Sequence, residues 1–370
     1  MRAMNPRPHM SAAWGSGPDW QQAVGDCLDR LEDAPPGPVD PDLGFVFVTD
    51  HLAGDMDAIL TILRGRTGIN QWAGTTGIGI MGGRNLFFDT PAIAILTVAG
   101  LTGRFAFTST YEPTAPDFRP WFGVLTADPR QPDVDRVIAT LADREGGFWV
   151  GGLAASRGAH PVLAPKVAEN TAGGVAFDDT VTVQSGLTQG CTPIGPVHEI
   201  TRAERNILVE LDGRPAFEVF RQEIGEVLMR NLGQVPGFIF AGLPPAGTDG
   251  GDYLVRDIVA LDPRHGLVAI GEDAVVGGTV MFCRRDPNAA RQDMARMTAD
   301  LAARMNSTPP AGGLYFSCLG RGPGMFGDDR TEADMIADAF GDIPMVGVFG
   351  NGEVSNARLF TYTGVLSLFG

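Results

Sequence analysis

Two stretches of this sequence are similar to each other, and they guide the prediction of the fold. Residues 74–98 are GTTGIGIMGGRNLFFDTPAIAILTV, and residues 347–369 are GVFGNGEVSNARLFTYTGVLSLF. A constant offset of 273 positions relates the glycines at 74, 77 and 79 to those at 347, 350 and 352, and it also relates Phe87 to Phe360. Each stretch ends in an apolar segment typical of a buried strand. Because such self-similarity indicates an internal repeat, we expect two related half-units about a pseudo-twofold axis, with a ligand cleft between them.

The segments around this repeat predict an α+β (mixed α/β) fold. Apolar or alternating runs predict strands over residues 44–48, 92–98, 148–150, 181–183, 195–200, 207–211, 238–240, 253–261 and 275–283. Helical patterns predict helices over residues 20–31, 57–64, 215–229 and 289–305. Regular β-α-β alternation is missing, so we expect mixed or mostly antiparallel sheets with flanking helices. Residues 1–40 read as an N-terminal extension, a Pro/Gly-rich tail followed by the first of these helices.

Composition and charge exclude several classes of function. The 370 residues suffice for two or three domains, and 44% hydrophobic with 19% charged residues argues against disorder. The formal net charge of −16, with Lys166 the single lysine, excludes a phosphate-backbone binder and a P-loop enzyme. We therefore expect no nucleic-acid partner. With no membrane-spanning run and no secretory leader in the sequence, we expect a cytoplasmic protein that does not contact a membrane.

Cysteine and histidine spacing gives no metal-site signature. The four cysteines include no C-x-x-C pair, and the five histidines show no i, i+4 pairing. We expect no dedicated metal site. A heme needs only one axial ligand, so His51, His160 and His198 stay open as candidates for that role.

The stretch 315–324, YFSCLGRGPG, is the sharpest candidate for a site. An apolar strand delivers Ser317 and Cys318 into a glycine-rich loop, where backbone amides can approach a ligand closely. Arg321 in that loop could grip a carboxylate with two nitrogens, and it would raise the thiolate fraction of Cys318. The plainer alternative is a buried, inert cysteine beside a surface arginine.

Two other glycine-rich turns have weaker signals. Residues 349–353, FGNGE, present the amide of Asn351 and the carboxylate of Glu353, although Asn-Gly is also ordinary turn chemistry. Residues 77–82 fit G-x-G-x-x-G literally. The dinucleotide fingerprint needs a strand before it and a helix after it, and neither flank has that pattern, so we interpret these glycines as a turn between strands.

These motifs resemble the FIST family, named for F-box and intracellular signal transduction proteins. The resemblance rests on residues 316–322 (FSCLGRG), Phe326, residues 341–344 (GDIP), 351–354 (NGEV) and 362–366 (YTGVL), and on 190–196 (GCTPIGP) with 211–215 (LDGRP). It implies a FIST N-domain over residues 41–214 and a FIST C-domain over 215–370. Leu319 departs from the family pattern, where we expect a polar residue, and this suggests a more apolar pocket wall.

The resemblance implies a signal-transduction module that senses a small ligand, with amino acids as the usual suggestion. We expect binding without catalysis, no obligatory cofactor, and a separate signalling protein as the receiver of the signal. The expected ligand is a small carboxylate-bearing metabolite. Its predicted contacts are Ser317, Cys318, Gly320, Arg321, Gly322, Phe326, Asn351, Glu353, Tyr362, Thr75 and Thr76.

Two alternatives stay open at this point. One is a cysteine-dependent enzyme with Cys318 as the nucleophile and Asp50 or His51 as the base. The other is a heme-linked sensor, because some relatives are reported as heme proteins that respond to nitric oxide. The sequence chooses neither a ligand nor an oligomeric state.

Overall fold

The computed structural model describes residues 7–229, 237–244, 253–306, 308–327 and 330–370. The chain forms two compact units: residues up to Thr188 together with Met294–Gly370 make unit 1, and Gln189–Asp293 make unit 2. The fold is α+β, and the described ranges contain seven α-helices and twenty-six strands. The expected fold class is confirmed at this level.

Unit 1 begins with a strand, a helix and a parallel β-α-β unit, followed by a hairpin and a returning strand. We call this set repeat 1. Its elements are β1 (His9–Ser16), α1 (Trp20–Glu32), β2 (Pro41–Thr49), a 3-10 turn (Asp50–Asp55), α2 (Met56–Thr67), β3 (Gln71–Gly77), β4 (Gly79–Gly82), β5 (Asn85–Phe88) and β6 (Ala92–Ala99).

The next segment has the same order of strands, without a helix after its first strand. We call it repeat 2. Its elements are β7 (Phe105–Ser109), β8 (Phe122–Ala127), α3 (Val134–Glu145), β9 (Phe148–Leu153), β10 (Val162–Leu163), β11 (Val167–Ala168) and β12 (Ala172–Phe177).

Strand β13 (Val183–Gln189) follows, and the chain then forms unit 2. The elements of unit 2 are β14 (Cys191–Pro193), β15 (His198–Glu204), β16 (Ile207–Leu211), β17 (Arg214–Pro215), α4 (Ala216–Met229), β18 (Ile239–Leu243), β19 (Leu254–Asp262), β20 (Leu267–Ile270) and β21 (Thr279–Arg285). Six of these strands pair antiparallel in the closed order β21-β15-β16-β20-β19-β18 and back to β21. Unit 2 is therefore a six-stranded barrel, and closure leaves no open sheet edge in that cycle.

Unit 1 resumes with repeat 3, which begins at β13. Its remaining elements are α5 (Pro287–Arg304), β22 (Gly312–Cys318), α6 (Gly322–Phe326), α7 (Thr331–Phe340), β23 (Met345–Gly350), β24 (Glu353–Ser355), β25 (Arg358–Phe360) and β26 (Thr363–Phe369).

The three repeats build three sheets of identical strand order. Sheet 1 runs β1-β6-β2-β3-β10-β11, sheet 2 runs β7-β12-β8-β9-β24-β25, and sheet 3 runs β13-β26-β22-β23-β4-β5. In each sheet the two strands of the β-α-β unit are parallel, and the returning strand is antiparallel to the first of them. The last two positions of every sheet are filled by a hairpin from another repeat. The expected pseudo-twofold is thus not confirmed, because the two echoing stretches belong to two of three topologically equivalent repeats.

Each sheet has one face on a shared core and the other face under helices. The shared core takes side chains from all three sheets, for example Phe47, Val150 and Phe316, and the rings of Phe47 and Phe316 meet edge to face at 5.7 Å. Separate clusters join α1 and α2 to sheet 1, α3 to sheet 2, and α5 and α7 to sheet 3. Both faces of each sheet are buried, which explains why the strands read as continuous apolar runs.

A glycine facing a large side chain recurs at one position of the repeats. The facing pairs are Gly44 and Trp72, Gly123 and Trp149, and Gly313 and Met345. A Cβ atom on Gly44 or Gly123 would lie 2.3 Å from the indole ring of its partner. The two indole N–H groups also bond alike, to the carbonyl three residues earlier, at 2.8 Å and 2.6 Å. This recurrence supports the repeat independently of strand order.

Most local predictions are confirmed, and two are wrong. The four expected helices correspond to α1, α2, α4 and α5. In the G-x-G-x-x-G stretch the chain turns at Ile78, and residues 79–82 form β4. A strand, β3, does precede the stretch, contrary to expectation, but the strand β5 follows it instead of a helix, so the dinucleotide fingerprint is still not met. Residues 9–16, expected within the Pro/Gly-rich tail, form β1 and pair with β6 along their whole length. Pairing with a buried strand overrides their weak local propensity. Residues 1–6 of that extension lie outside the described residues.

Candidate functional site

The loop after β22 carries a fully buried arginine. Arg321 is 0% exposed, and its Nε donates to Oε1 of Glu332 at 2.8 Å. Glu332, 2% exposed, stands in the first turn of α7. Burial by itself lowers the pKa of Arg321, but the Glu332 carboxylate outweighs it and raises that pKa, so the guanidinium stays charged. The loop therefore holds an ion pair inside the protein.

Three further donors converge on the same carboxylate. The Tyr315 hydroxyl donates to Oε1 of Glu332 at 2.6 Å, the Ser317 hydroxyl lies 3.2 Å from both oxygens, and the Gly322 N–H donates to Oε2 at 3.3 Å. Gly322 adopts a φ of 54°, a conformation open to glycine. With this many donors, Glu332 is a fixed part of the architecture and is not free to bind a ligand.

The two terminal nitrogens of Arg321 have no such partner. Nη1 and Nη2 are buried, and neither has a hydrogen-bond partner among the described residues. The ring of Phe326 lies beside them, with its centroid 5.4 Å from Cζ of Arg321. Because Nε is occupied by Glu332, the end-on pair of nitrogens is the part of the fork that remains available, and this pair matches the spacing of two carboxylate oxygens.

A second buried carboxyl group acts on the same cluster. Glu353, at the start of β24, is 0% exposed, and its Oε2 accepts from the Thr363 hydroxyl at 2.7 Å and from the Thr363 N–H at 3.3 Å. Its Oε1 is buried without a partner in the described ranges. Burial raises the pKa of Glu353 well above its usual range, although Thr363 and Arg321 act in the opposite direction. The site therefore has an unpaired cationic fork and an unpaired carboxyl oxygen.

Cys318 belongs to the same electrostatic cluster as Arg321 and Glu353. It is buried, and its Sγ accepts from the Gly320 N–H at 3.4 Å. Burial, and then the neighbouring Glu353, raise the pKa of the Cys318 thiol far above its ordinary value, while Arg321 and two backbone N–H groups lower it less. The ring of Tyr362 covers Gly320 so closely that a Cβ there would lie 2.6 Å from it. Arg321 lowers the pKa of the Cys318 thiol as expected, but burial and Glu353 outweigh this effect.

We predict that the native Cys318 thiol resists alkylation. At pH 8 its reaction with iodoacetamide should be at least about a hundredfold slower than that of a peptide thiol, because the thiolate is the reactive form. Peptide mapping by mass spectrometry after timed labelling measures this rate. All four cysteines are buried, and a urea-unfolded sample, in which each should react, is the control. Labelling of Cys318 at the peptide rate in the folded protein would contradict this account.

The remaining predicted contacts are dispersed around the cluster. The exposed Asn351 donates from Nδ2 to the carbonyl of Ala154 at 3.2 Å. Thr75 and Thr76 are buried in β3, and their hydroxyls donate to the carbonyls of Pro161 and Val48. Both threonine hydroxyls therefore donate to backbone carbonyls and do not join the Arg321 cluster. Leu319 packs with the cluster beneath sheet 3, as its apolar character requires.

Asp50 and His51 belong to a different ion pair. Both carboxylate oxygens of Asp50 accept from Arg157, at 2.6 Å and 2.9 Å, and His51 Nδ1 lies 3.4 Å from the same carboxylate. Burial alone raises the pKa of Asp50, but the bonds from Arg157 outweigh it and lower that pKa. The charged groups acting on the Cys318 thiol are Glu353 and Arg321. The structure thus gives no support to Asp50 or His51 as the base for Cys318.

Comparison with known proteins places the chain in a family. A FIST N domain model matches residues 42–214, and a FIST C domain model matches residues 216–356. The chain belongs to the FIST family. FIST domains are sensory and signal-transduction domains, and this is the functional class of the chain at its coarsest level.

Among related FIST-like sequences, the chain is similar to "Uncharacterized protein Rv0628c" of Mycobacterium tuberculosis. They are 30% identical over 365 residues, which cover 86% of this chain and 93% of that protein. "Uncharacterized protein Mb0898c" of Mycobacterium bovis is 32% identical over 191 residues, covering 50% of this chain and 49% of that one. A solved structure, "Structure of PurLQS from Thermotoga maritima", aligns with 10% identity and a TM-score of 0.24, which is too low to indicate a shared fold.

The FIST resemblance suggests heme as a ligand, and one of the three candidate histidines, His198, does not fit the role of axial ligand. Both ring nitrogens of His198 are engaged by carboxylates: Nδ1 lies 2.6 Å from Asp212 and Nε2 lies 2.5 Å from Glu223. His160 is buried in unit 1, and His51 stands beside Asp50. None of these three histidines lines the cavity of about 510 Å³ in unit 1. No cluster of three or more His, Cys, Asp or Glu suited to a metal ion occurs in the part of the chain that the structure describes.

The contacts of His198 with Asp212 and Glu223 predict that the stability of the barrel depends on pH. Burial lowers the pKa of His198, but Asp212 and Glu223 outweigh it and raise the folded-state pKa above the unfolded value of about 6.5. The stabilisation is therefore complete below that value and is lost as pH rises through the folded pKa. Hydrogen exchange in β15 and β16 should accelerate over that range beyond its intrinsic pH dependence. His198→Gln should remove this additional acceleration of exchange and should lower the free energy of unfolding by about 1.5–3 kcal/mol at pH 6. An equal additional acceleration in the wild type and the variant would contradict the assignment.

Sequence reasoning missed the residues that hold Arg321 in place. Glu332 accepts from Arg321 directly, and Tyr315 donates to Glu332. Thr363, which was also missed, holds Glu353 instead. A signal for Glu332 was available, since it begins the buried stripe of α7 that continues with Ala333, Ile336 and Ala337. A charged residue inside an apolar stripe indicates a buried partner of opposite charge.

No helix in the described part of this FIST chain is both long enough and apolar enough to cross a membrane.

Proposed function

We propose that this FIST protein is a sensor that binds a small carboxylate-bearing, amino-acid-like metabolite at Arg321. The observation that carries the proposal is the pair of buried Arg321 nitrogens without partners. A guanidinium has five N–H donors, and Glu332 accepts from the one on Nε. The donors of Nη1 and Nη2 have no acceptor among the described residues. Buried donors of this kind are costly unless they are satisfied. A ligand carboxylate satisfies both nitrogens at once.

Glu353 supplies the second recognition element. Its unpaired Oε1 belongs to the same electrostatic cluster as Arg321, since each group influences the pKa of the other. A ligand ammonium group here would restore the ionised carboxylate that burial disfavours. Arg321 and Glu353 together thus complement a molecule with a carboxylate at one end and an amine nearby. Phe326 and Tyr362 offer apolar walls for the carbon skeleton between these groups.

We place the ligand where repeat 3 meets repeat 2. The Leu153 N–H donates to the carbonyl of Gly352 at 2.8 Å, and the Asn351 amide reaches the carbonyl of Ala154. The hairpin of β24 and β25, which begins with Glu353, crosses to sheet 2 at this point. Ligand contact with Glu353 would therefore be felt by two repeats. A separate signalling protein as the receiver of this change stays a prediction.

The experiment compares ligand binding by the wild-type protein and two variants. The twenty amino acids and the linear carboxylates of two to six carbons are screened by thermal shift, and hits are measured by calorimetry. Arg321→Lys keeps the charge opposite Glu332 but removes the two-nitrogen fork. It should weaken binding at least about tenfold, since charge-assisted bonds contribute about 1.5–3 kcal/mol each.

The matched control is Arg157→Lys, which alters a carboxylate-bound arginine that is 58% exposed. It should bind as the wild type does. Glu353→Gln should weaken amine-bearing hits and spare simple carboxylates. An Arg321→Lys protein that is folded and binds its ligand with unchanged affinity would overturn the assignment.

A further inference from the structure

A cavity of unit 1 is lined in part by α7, the helix that carries Glu332 in its first turn. Its volume is about 510 Å³, and β1, the β4–β5 hairpin, α7 and the start of β23 contribute to its lining. Ligand pockets in proteins commonly measure about 300–1,000 Å³. The cavity is therefore large enough for a small molecule, and none of the residues discussed above for carboxylate binding lines it.

The walls of this cavity are apolar and rich in sulfur. Three methionines line it, Met10, Met81 and Met345, together with the indole of Trp14. Thioether groups make favourable contacts with aromatic rings and adapt to their shape. The walls thus favour an aromatic guest over a straight hydrocarbon chain.

The position of Trp14 is fixed by its surroundings. A Cβ on Gly82 would lie 2.6 Å from Trp14, and the guanidinium of Arg30 stacks on the indole with Cζ 4.6 Å from the ring centroid. The glycine at 82 therefore lets the ring lie directly on β4. A ring held in this way gives the cavity a preformed aromatic wall.

One residue that lines the cavity has a buried polar atom without a partner. His9 lines the cavity, and its Nε2 is buried with no hydrogen-bond partner within the described ranges. The charge at the rim is already paired, because Nε of Arg84 donates to Asp342 at 2.7 Å and Nη1 lies 3.5 Å from Asp334. A guest with one neutral hydrogen-bonding group would satisfy His9, whereas a charged guest would compete with these pairs.

We infer that this cavity is a second ligand site, for an aromatic molecule of one or two fused rings that carries a single neutral hydrogen-bonding group. The probe is 2-naphthol, measured by calorimetry and by ligand-observed NMR on the full chain. It should bind at one equivalent. Naphthalene, which lacks the hydroxyl, should bind roughly three- to tenfold more weakly, as expected for one hydrogen bond. 1-Octanol should bind more weakly than 2-naphthol because it has no ring.

Two cavity-filling variants from different elements test the location. Ala337→Phe on α7 and Ala12→Phe on β1 place a ring in the cavity, and each should weaken 2-naphthol binding at least about tenfold. Ala339→Phe, on the exposed face of the same helix, is the matched control and should bind normally. His9→Phe should make 2-naphthol and naphthalene bind equally. Unfolding curves show which variants are folded.

The outcomes separate this site from the one proposed at Arg321. Arg321→Lys should leave 2-naphthol binding unchanged, so either proposal can fail without the other. Absence of stoichiometric 2-naphthol binding to the wild type would overturn the inference. Unchanged binding in both folded filling variants would overturn it as well.

Discussion

Replacing Glu332 by Gln should destabilise unit 1 by about 3–5 kcal/mol, the usual cost of leaving one partner of a buried ion pair uncompensated. Arg321 is 0% exposed and Glu332 2% exposed, so water cannot take the place of the carboxylate. The substitution keeps the shape of the side chain and removes only its charge. In the wild type the Tyr315 and Ser317 hydroxyls donate to the Glu332 carboxylate. In the variant an amide NH₂ group, itself a donor, replaces one of the carboxylate oxygens. Urea unfolding followed by circular dichroism measures the loss.

Two further variants show whether charge is the cause. Asp338→Asn, on the exposed part of the same helix, should change the free energy of unfolding by less than about 0.5 kcal/mol. The double variant Arg321→Met with Glu332→Gln should recover part of the loss, because no buried charge is then left unpaired. A Glu332→Gln protein within about 1 kcal/mol of the wild type would mean that Arg321 has another counter-charge, and the site description would be wrong.

In repeats 1 and 2, the second strand of the β-α-β unit has a glycine in its interior, and alanine at that position should be the most damaging change to the fold. A Cβ on Gly74 would lie 1.8 Å from the carbonyl oxygen of Val46, and a Cβ on Gly151 would lie 1.7 Å from that of Leu125. In each case the obstacle is backbone of the paired parallel strand, which cannot move without breaking that pairing. We expect each substitution to cost about 3 kcal/mol or more, at the upper end for overpacking. Soluble yield and urea unfolding measure the effect.

Two other glycine-to-alanine substitutions, one in repeat 3 and one in α1, serve as comparisons. Gly347→Ala, at the equivalent position, meets the Tyr315 carbonyl oxygen at 2.6 Å and should be destabilising to a smaller degree. Gly25→Ala in α1 has open space around it and should stabilise the protein by up to about 1 kcal/mol. If Gly74→Ala and Gly151→Ala both unfold with the wild-type midpoint, the strand register described for the repeats would be wrong.

The sequence shows two of the three repeats because those two happen to keep the same spacing. Gly74 and Gly347 lie in strands that are followed closely by a hairpin, and each is 13 residues before the equivalent phenylalanine, Phe87 or Phe360, so a constant offset finds them. In repeat 2 the equivalent glycine is Gly151, but the connection from β9 to the β10–β11 hairpin is longer, and the returning strand β12 starts only at Ala172. The glycine–tryptophan pairing across strands that unites repeats 1 and 2 depends on register, and register becomes visible only when the strands are paired.

The site was predictable where its residues are contiguous and hidden where they are not. Ser317, Cys318 and Arg321 follow one strand, so the sequence places them together. Glu332 joins them only because α7 packs back over the loop after β22. Burial also outweighs the expected effect of Arg321 on the pKa of the Cys318 thiol, and burial at a loop is set by tertiary packing rather than by local sequence. The same limit explains why Thr75 and Thr76, which the offset of 273 aligns with Val348 and Phe349, donate to backbone carbonyls instead of lining the Arg321 cluster.

Native mass spectrometry of the wild-type protein and of Arg321→Lys, each incubated with the carboxylate and amino-acid panel, tests the ligand site most directly. The account predicts a single non-covalent mass increment on the wild type that disappears on denaturation. That increment should be absent or much reduced on Arg321→Lys and unchanged on Arg157→Lys. An increment of equal occupancy on folded Arg321→Lys, or a wild type that acquires none from the whole panel, would contradict the assignment of Arg321 as the carboxylate-binding group.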